Sequence, residues 1–549
     1  MKVYIWLPLI LIGLCPSLLA QPLNKMATID WSESYSEPNN SFLSKIIHSD
    51  QAGFYALRVQ GLGNKKTKPN IFVEYYDKEQ MRLKKSAELD LNFKNKRRDF
   101  EDVLVAGGNM YFLTSFNNQA KKKNYLFAQT INKATLRPSK KLTKLSEVDT
   151  RNLYQEGGFR HDLSKDTSKI LLYSMLPKKK RQPERFSLQV FDNQLTPIWE
   201  KEVQLPFNDE NFTVQEYKVD NEGNVYMLGL IYEGGKSLKK SSSPNYQYVV
   251  LAYRDNGNAV EEYKINLNKK FITDLTFRVD NSGDLIFSGF YSDKGTYSVK
   301  GTYFFRLNPV TKEIYNKNLK AFDFKFLTEY LSDNKVAKAK KLAKKGNTPE
   351  LYRYALDDLI LRSDGGAVLV AEQYYVQRRY NNNDFYGYGG GIYGFGARNR
   401  SGFYNNNFYA DEYEYYYNDI IVVNIQPNGE IEWTARIPKQ QVTSNDGGYF
   451  SSYAMSIVKD KFYFVFNDNF KNYEPKKNPD KWYTYTGRNS VITLAEINKD
   501  GEVNLEPLFS DTEASITTRP KVCKQVGRKD MIIYGERGRN FRFGNLVFE

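Results

Sequence analysis

The residues able to do chemistry are few. His48 and His161 are the only two imidazoles in the chain. Neither has a Cys or a second His at metal-ligand spacing, so no zinc centre is expected. A His-based triad would have to use one of them, and no Gly-x-Ser-x-Gly accompanies either. Gly389-Gly-Gly-Ile-Tyr-Gly394 spells G-x-G-x-x-G. It sits in a Tyr/Asn/Gly tract with no clear strand–helix–strand unit around it, and it reads as a chance match. Asp357-Asp358 and the Asp411-Glu-Tyr-Glu414 cluster could bind a cation or exchange protons. Placed at a strand start and a loop exit, they read as solvated acids. The expectation is a protein without catalytic residues, metal or cofactor.

What recurs instead is basic and aromatic. The formal charge is +15, with 42 Tyr and 35 Phe. Lys121, Lys122 and Lys123 form one run; Lys178, Lys179, Lys180 and Arg181 form another. Arg378 and Arg379 open a low-complexity tract that ends at Tyr417 and carries Tyr386, Tyr388, Tyr393, Phe395, Tyr404 and Tyr409. Cationic runs attract anionic surfaces through a field that salt screens. Tyr and Asn add amphipathic contact with adaptable hydrogen bonding. These residues are the candidate partner-binding set.

The elements that must position them are read from a repeat. Val219-Asp-Asn-Glu-Gly-Asn-Val-Tyr-Met-Leu-Gly229 returns sixty positions later as Val279-Asp-Asn-Ser-Gly-Asp-Leu-Ile-Phe-Ser-Gly289. Each copy is a strand, a tight turn and an apolar strand. Weaker units of four strands, A to D, can be followed from Phe42 to Leu508, and self-similarity at this period means a stacked or radial array. The last unit has three strands, and Ala27-Thr-Ile-Asp-Trp31 is an orphan strand at the other end. Together they complete a unit and would close the array, removing its open edges.

This organisation resembles the β-propeller superfamily, all-β, with eight blades as the expected number and seven as the runner-up. WD40, kelch and quinoprotein signatures are absent. The resemblance implies that A–B and C–D turns share one face, while B–C and D–A connections share the other. The basic runs then fall on the B–C face and the Asp-rich turns on the opposite one. Asp is suited to those turns because its carboxylate bonds its own backbone. Two insertions break the period: residues 324–349, read as one basic helix ended by Gly346 and Pro349, and residues 378–417. The helix is expected to dock on the propeller rim rather than enter a membrane.

Residues 1–20 read as a cleaved secretory signal, with a charged start, a short apolar run and Ala20 before Gln21. Leu14 before Cys15 departs from a lipoprotein signal. Cys523 then stands alone, as a small buried hydrophobe. Residues 21–549 are expected to be one domain, periplasmic or outer-membrane associated and not an integral membrane protein. The partner is expected to be a protein of an envelope assembly with an anionic surface; glycan or anionic lipid are the alternatives, as is a hydrolase with axial carboxylates. Nucleic acid is not expected, since no recognition motif accompanies the charge and an export signal argues against it.

Overall fold

Apolar and polar residues alternate poorly in the second strand of each repeat. The eight positions of Leu285–Ser292 are all buried. Such a strand must be covered on both faces. A computed structural model shows how. It describes residues 26–549 except 62–68, 94, 151–156, 178–182, 209–210, 234–238, 241–242, 268–269, 380–411 and 476–480.

Seven four-stranded antiparallel sheets follow one another in chain order, and an eighth is assembled from both termini. In the eighth, Asp530–Arg537 and Asn540–Phe548 pair with each other, and Ala27–Trp31 adds to the edge in the register Ala27↔Phe548 to Trp31↔Gly544. The strands expected at 27–31 and at the C-terminus therefore share one sheet.

Eight separate apolar clusters lie between the sheets. Each joins one sheet to the next, and one joins the first sheet (Leu43, Phe54, Ala56) to the eighth (Ile532, Tyr534, Phe543). Eight sheets with eight interfaces make a closed ring. The chain is an eight-bladed β-propeller. Alternate residues of each central strand serve the two neighbours. Phe54 and Ala56 face the eighth blade, while Tyr55, Leu57 and Val59 face the second. Each of the larger side chains contributes about 2 kcal/mol by leaving water.

The repeat's shared residues have structural reasons. Gly223 and Gly283 turn with φ of +92° and +84°, where a side chain is strained. At Gly289 a Cβ would stand 2.1 Å from the Asp274 carbonyl, so the two strands approach this closely only because the residue is glycine. The turn aspartates cap their own loops: Asp220 accepts from the Glu222 and Asn224 amides, and Asp280 from the Ser282 and Asp284 amides. Cys523 packs at the edge of the cluster between blades seven and eight, where burial pushes its thiol up to about 12.

The insertion read as one helix is two, α1 (Phe324–Thr328) and α2 (Asp333–Ala343). Asp323 caps α1 by accepting from the Phe326 amide, and Ser332 is extended at the start of α2. The break lets Phe326 and Leu327 enter the cluster between blades five and six while α2 runs over the surface. No described helix is long and apolar enough to cross a membrane.

Candidate docking face

Strand A of each blade lies nearest the axis. From blade one to blade seven these strands are Ser41–Ser49, Asp99–Ala106, Gly158–Leu163, Phe212–Val219, Phe271–Val279, Tyr354–Leu361 and Ala454–Val458; in blade eight strand A is split into Thr517–Thr518 and Lys524–Gln525. Their polar side chains join every blade to the next. Lys45 pairs with Asp102, and Asp102 meets His161 Nε2 at 3.5 Å. Asp162 holds Lys218 at 3.2 Å. Arg278 binds Glu216 at 3.1 Å through Nη1 and Asp358 at 2.7 Å through Nη2. Tyr453 donates to Asp357 at 2.7 Å. Gln525 exchanges two hydrogen bonds with the Ile457 backbone, and Lys524 donates to the Ile47 carbonyl at 2.6 Å.

Bulges aim this belt. Ladder shifts fall between Leu43 and Lys45, Val214 and Glu216, Ile272 and Asp274, and Leu356 and Asp358. A bulge turns adjacent side chains in different directions. Asp357 thereby reaches blade seven while Asp358 reaches blade five. The reading of this acidic pair as solvated holds only in part: the Asp358 side chain stays 44% exposed, yet both carboxylates also join neighbouring blades. Glu414, by contrast, is buried, and accepts from the Tyr416 hydroxyl at 2.8 Å. His161 is pushed below its ordinary value by burial, against the pull of Asp102. The carboxylates named in the belt each have a cation or phenol in contact, an arrangement suited to holding blades together. Among the described residues no group of three or more His, Cys, Asp or Glu is placed to hold a metal ion.

B–C and D–A connections meet on the other candidate surface. Ser298–Val299, from the B–C loop of blade five, pairs with Leu351–Tyr352, from the D–A connection into blade six. Lys294 donates to the Thr348 carbonyl at 2.6 Å across the same junction. Arg436 anchors the preceding helix: its guanidinium lies 4.8 Å from the Tyr330 ring, and Tyr330 donates to the Arg436 carbonyl at 2.6 Å.

On this face the lysines divide into two kinds. Lys123 meets Asp149 at 2.7 Å and Glu147 at 3.6 Å. Lys300 pairs with Asp293, and Lys270 meets the same carboxylate at 2.8 Å. These charges are spent internally. α2 and its C-terminal end differ. Lys335, Lys338, Lys340, Lys341, Lys344 and Lys345 are exposed, and none meets a carboxylate among the described residues. Val336, Ala339 and Ala343 form the inward stripe, with Ala339 buried, while Leu331 and Leu342 are exposed. Small inward residues let the helix lie flat and leave the lysines in solvent.

At the end of the same connection stands Arg353, at φ +56°. Its amide donates to the Tyr297 carbonyl at 2.9 Å, and its carbonyl accepts from the Tyr374 amide at 3.1 Å. The guanidinium lies 5.1 Å from the Tyr352 ring, 5.3 Å from Tyr375 and 6.0 Å from Tyr297. Tyr375 stacks on Tyr416 at 4.4 Å, so the rings form one surface at the foot of the 380–411 segment.

Of the residues predicted to bind, Lys121 and Lys122 are exposed at the B–C turn of blade two, with Lys122 at φ +50°. Lys123 is drawn into its acid pair. Arg378 and Arg379 end strand B of blade six opposite Tyr413 and Glu412. Lys178, Lys179, Lys180, Arg181, Tyr386, Tyr388, Tyr393, Phe395, Tyr404 and Tyr409 lie outside the described residues. Sequence reading passed over Arg353 because a lone arginine between two short strands carries no local signal. The belt did have one, a polar residue in strand A of each unit.

No family model and no curated protein matches the chain. Solved structures do. The WD40 domain of SCAP from fission yeast is 8% identical with a TM-score of 0.37, over 95% of this chain and 94% of that one. The β-propeller domain of the Trilobed protease from Pyrococcus furiosus is 8% identical with a TM-score of 0.35, over 86% and 96%. Oligogalacturonate lyase from Vibrio parahaemolyticus is 9% identical with a TM-score of 0.36, over 80% and 94%. Likeness at this level concerns the fold alone.

Proposed function

We propose that this propeller is a non-catalytic docking subunit that binds an acidic protein surface through its B–C and D–A face. The observation that carries the proposal is the set of six uncompensated lysines on α2 and its C-terminal end. Lys123, Lys270 and Lys300 on that face have acid partners within the fold, and beside the exposed Lys121 and Lys122 of blade two the densest run of unpaired charge among the described residues lies over this one connection. A field of this kind speeds encounter with an anionic partner and fades as salt rises. The belt supports a structural use of the axial charges, since it consumes them in joining blades. Read with the export signal expected at residues 1–20, the setting is a cell envelope, and the role is that of a scaffold or plug-like subunit of an assembly such as an outer-membrane channel or secretion complex.

The test is a pull-down from envelope extracts at two salt concentrations. The wild type is compared with a variant in which Lys335, Lys338, Lys340, Lys341, Lys344 and Lys345 are all replaced by Gln. Acidic partners should be lost from the variant and from the wild type at high salt. An unchanged partner set would remove α2 from the mechanism.

A further inference from the structure

We infer that Arg353 is a receptor for a single carboxylate, supplied by an Asp, a Glu or the C-terminus of the docked protein. The inference rests on the docking reading and names the chemistry of its most specific contact.

A guanidinium has five N–H donors in a planar fork that matches a carboxylate. Other arginines near the axis and at the ring closure use theirs on the protein. Arg278 holds two carboxylates, and Arg58 holds two more. Arg353 uses none. Its side chain makes no hydrogen bond or ion pair among the described residues, and its buried Nε has no partner. The three tyrosines around it supply ring faces and no acid. Tyr352 and Tyr297 are 47% and 40% exposed, so the frame opens to solvent. The backbone bonds to Tyr297 and Tyr374 tie the Arg353 main chain between blades five and six.

The frame favours an anion over a sugar, because its rings are already partly engaged. Stacking a pyranose needs a free aromatic face. Tyr375 is engaged by Arg353 and by Tyr416, and Tyr352 is engaged by Arg353 with Tyr297 tilted beside it at 6.4 Å. The polar feature left to a ligand is the donor edge of the guanidinium, which suits a small planar anion. Position supports the same ligand. Arg353 follows α2 by ten residues on one connection, so the lysines and the fork belong to the same inter-blade junction.

The experiment titrates a fluorescein-labelled hexaglutamate peptide into the full chain at low salt, with hexagalacturonate as a competing arm. It is run on the native protein and on the six-glutamine α2 background, which subtracts the bulk attraction of the helix. Arg353→Asn removes the fork while tolerating the left-handed backbone. Arg353→Lys keeps the charge and loses the planar geometry. Both should melt with the wild type. Arg353→Asn should weaken peptide binding about tenfold or more in both backgrounds, the scale of a lost charge-assisted hydrogen bond. Arg353→Lys should lose most of the same factor. Equal peptide affinity in Arg353→Asn overturns the assignment. Tighter binding of hexagalacturonate than of peptide overturns the choice of protein over glycan. Loss of partners in the α2 variant with no effect of Arg353→Asn on the peptide would leave the docking reading standing and this one refuted.

Discussion

Two buried charges make the residue scale testable. Arg58 is 2% exposed and bridges Glu37 and Glu74 between the first and last blades. Arg58→Met would leave two carboxylates in the core, and should cost about 3–5 kcal/mol in urea unfolding. A loss under about 1 kcal/mol would mean that the pair is relieved by solvent. Asp468, in blade seven, is held by the Asn469 amide, Asn472 and Tyr473. Burial outweighs these bonds and pushes its carboxyl up to about 6 from 3.8. The native state therefore binds this proton more tightly than the unfolded state. Its stabilising contribution is full below pH 3.8 and is lost as pH rises through about 6. Two pKa units correspond to about 3 kcal/mol. Asp468→Asn should gain on the wild type by that order between pH 4 and pH 7. Parallel stability curves for the two proteins over this range would refute the shift.

At the scale of elements, the unit that matters is the connection between blades five and six. Its helical character is legible in the lysine-rich run ended by Gly346. The break at Ser332 is not, because it comes from the demand that Phe326 and Leu327 fill an inter-blade cluster while α2 stays outside. The six-glutamine α2 variant should keep its melting temperature within a few degrees, since exposed unpaired lysines contribute little to folding. Calorimetry checks this, and a large drop would mean that the lysines hold the helix in place. The belt shows the converse limit. Asp357 and Asp358 read as solvated because they stand where a strand begins, beside a solvent-facing loop. The bulge at Leu356–Asp358, set by pairing with blade six's own second strand, sends both to partners.

At the scale of the whole molecule, closure of the ring concentrates risk at one seam. Ala27–Trp31 covers the edge of Asn540–Phe548, and Ala27 and Ile29 pack with Leu546 and Phe548. Deleting residues 1–31 should expose that edge to pairing with another chain. The expected result is a lower melting temperature and concentration-dependent aggregation in light scattering. A monodisperse deletion with an unchanged melt would show that the seam holds without its outer strand.

The propeller class, the closing strand and the turn role of the aspartates were determined by the sequence itself, while eight blades against seven was settled by the closed ring. The first three depend on local chemistry: strand alternation, Asp–Gly turns and a count of strands at the two ends. The eight inter-blade contacts at the axis, the division of lysines into paired and unpaired, and the framing of Arg353 were decided only in three dimensions. All three depend on which side chains from distant repeats meet. A carboxylate near a lysine in space, such as Asp149 beside Lys123, cancels a charge that the linear sequence shows as free.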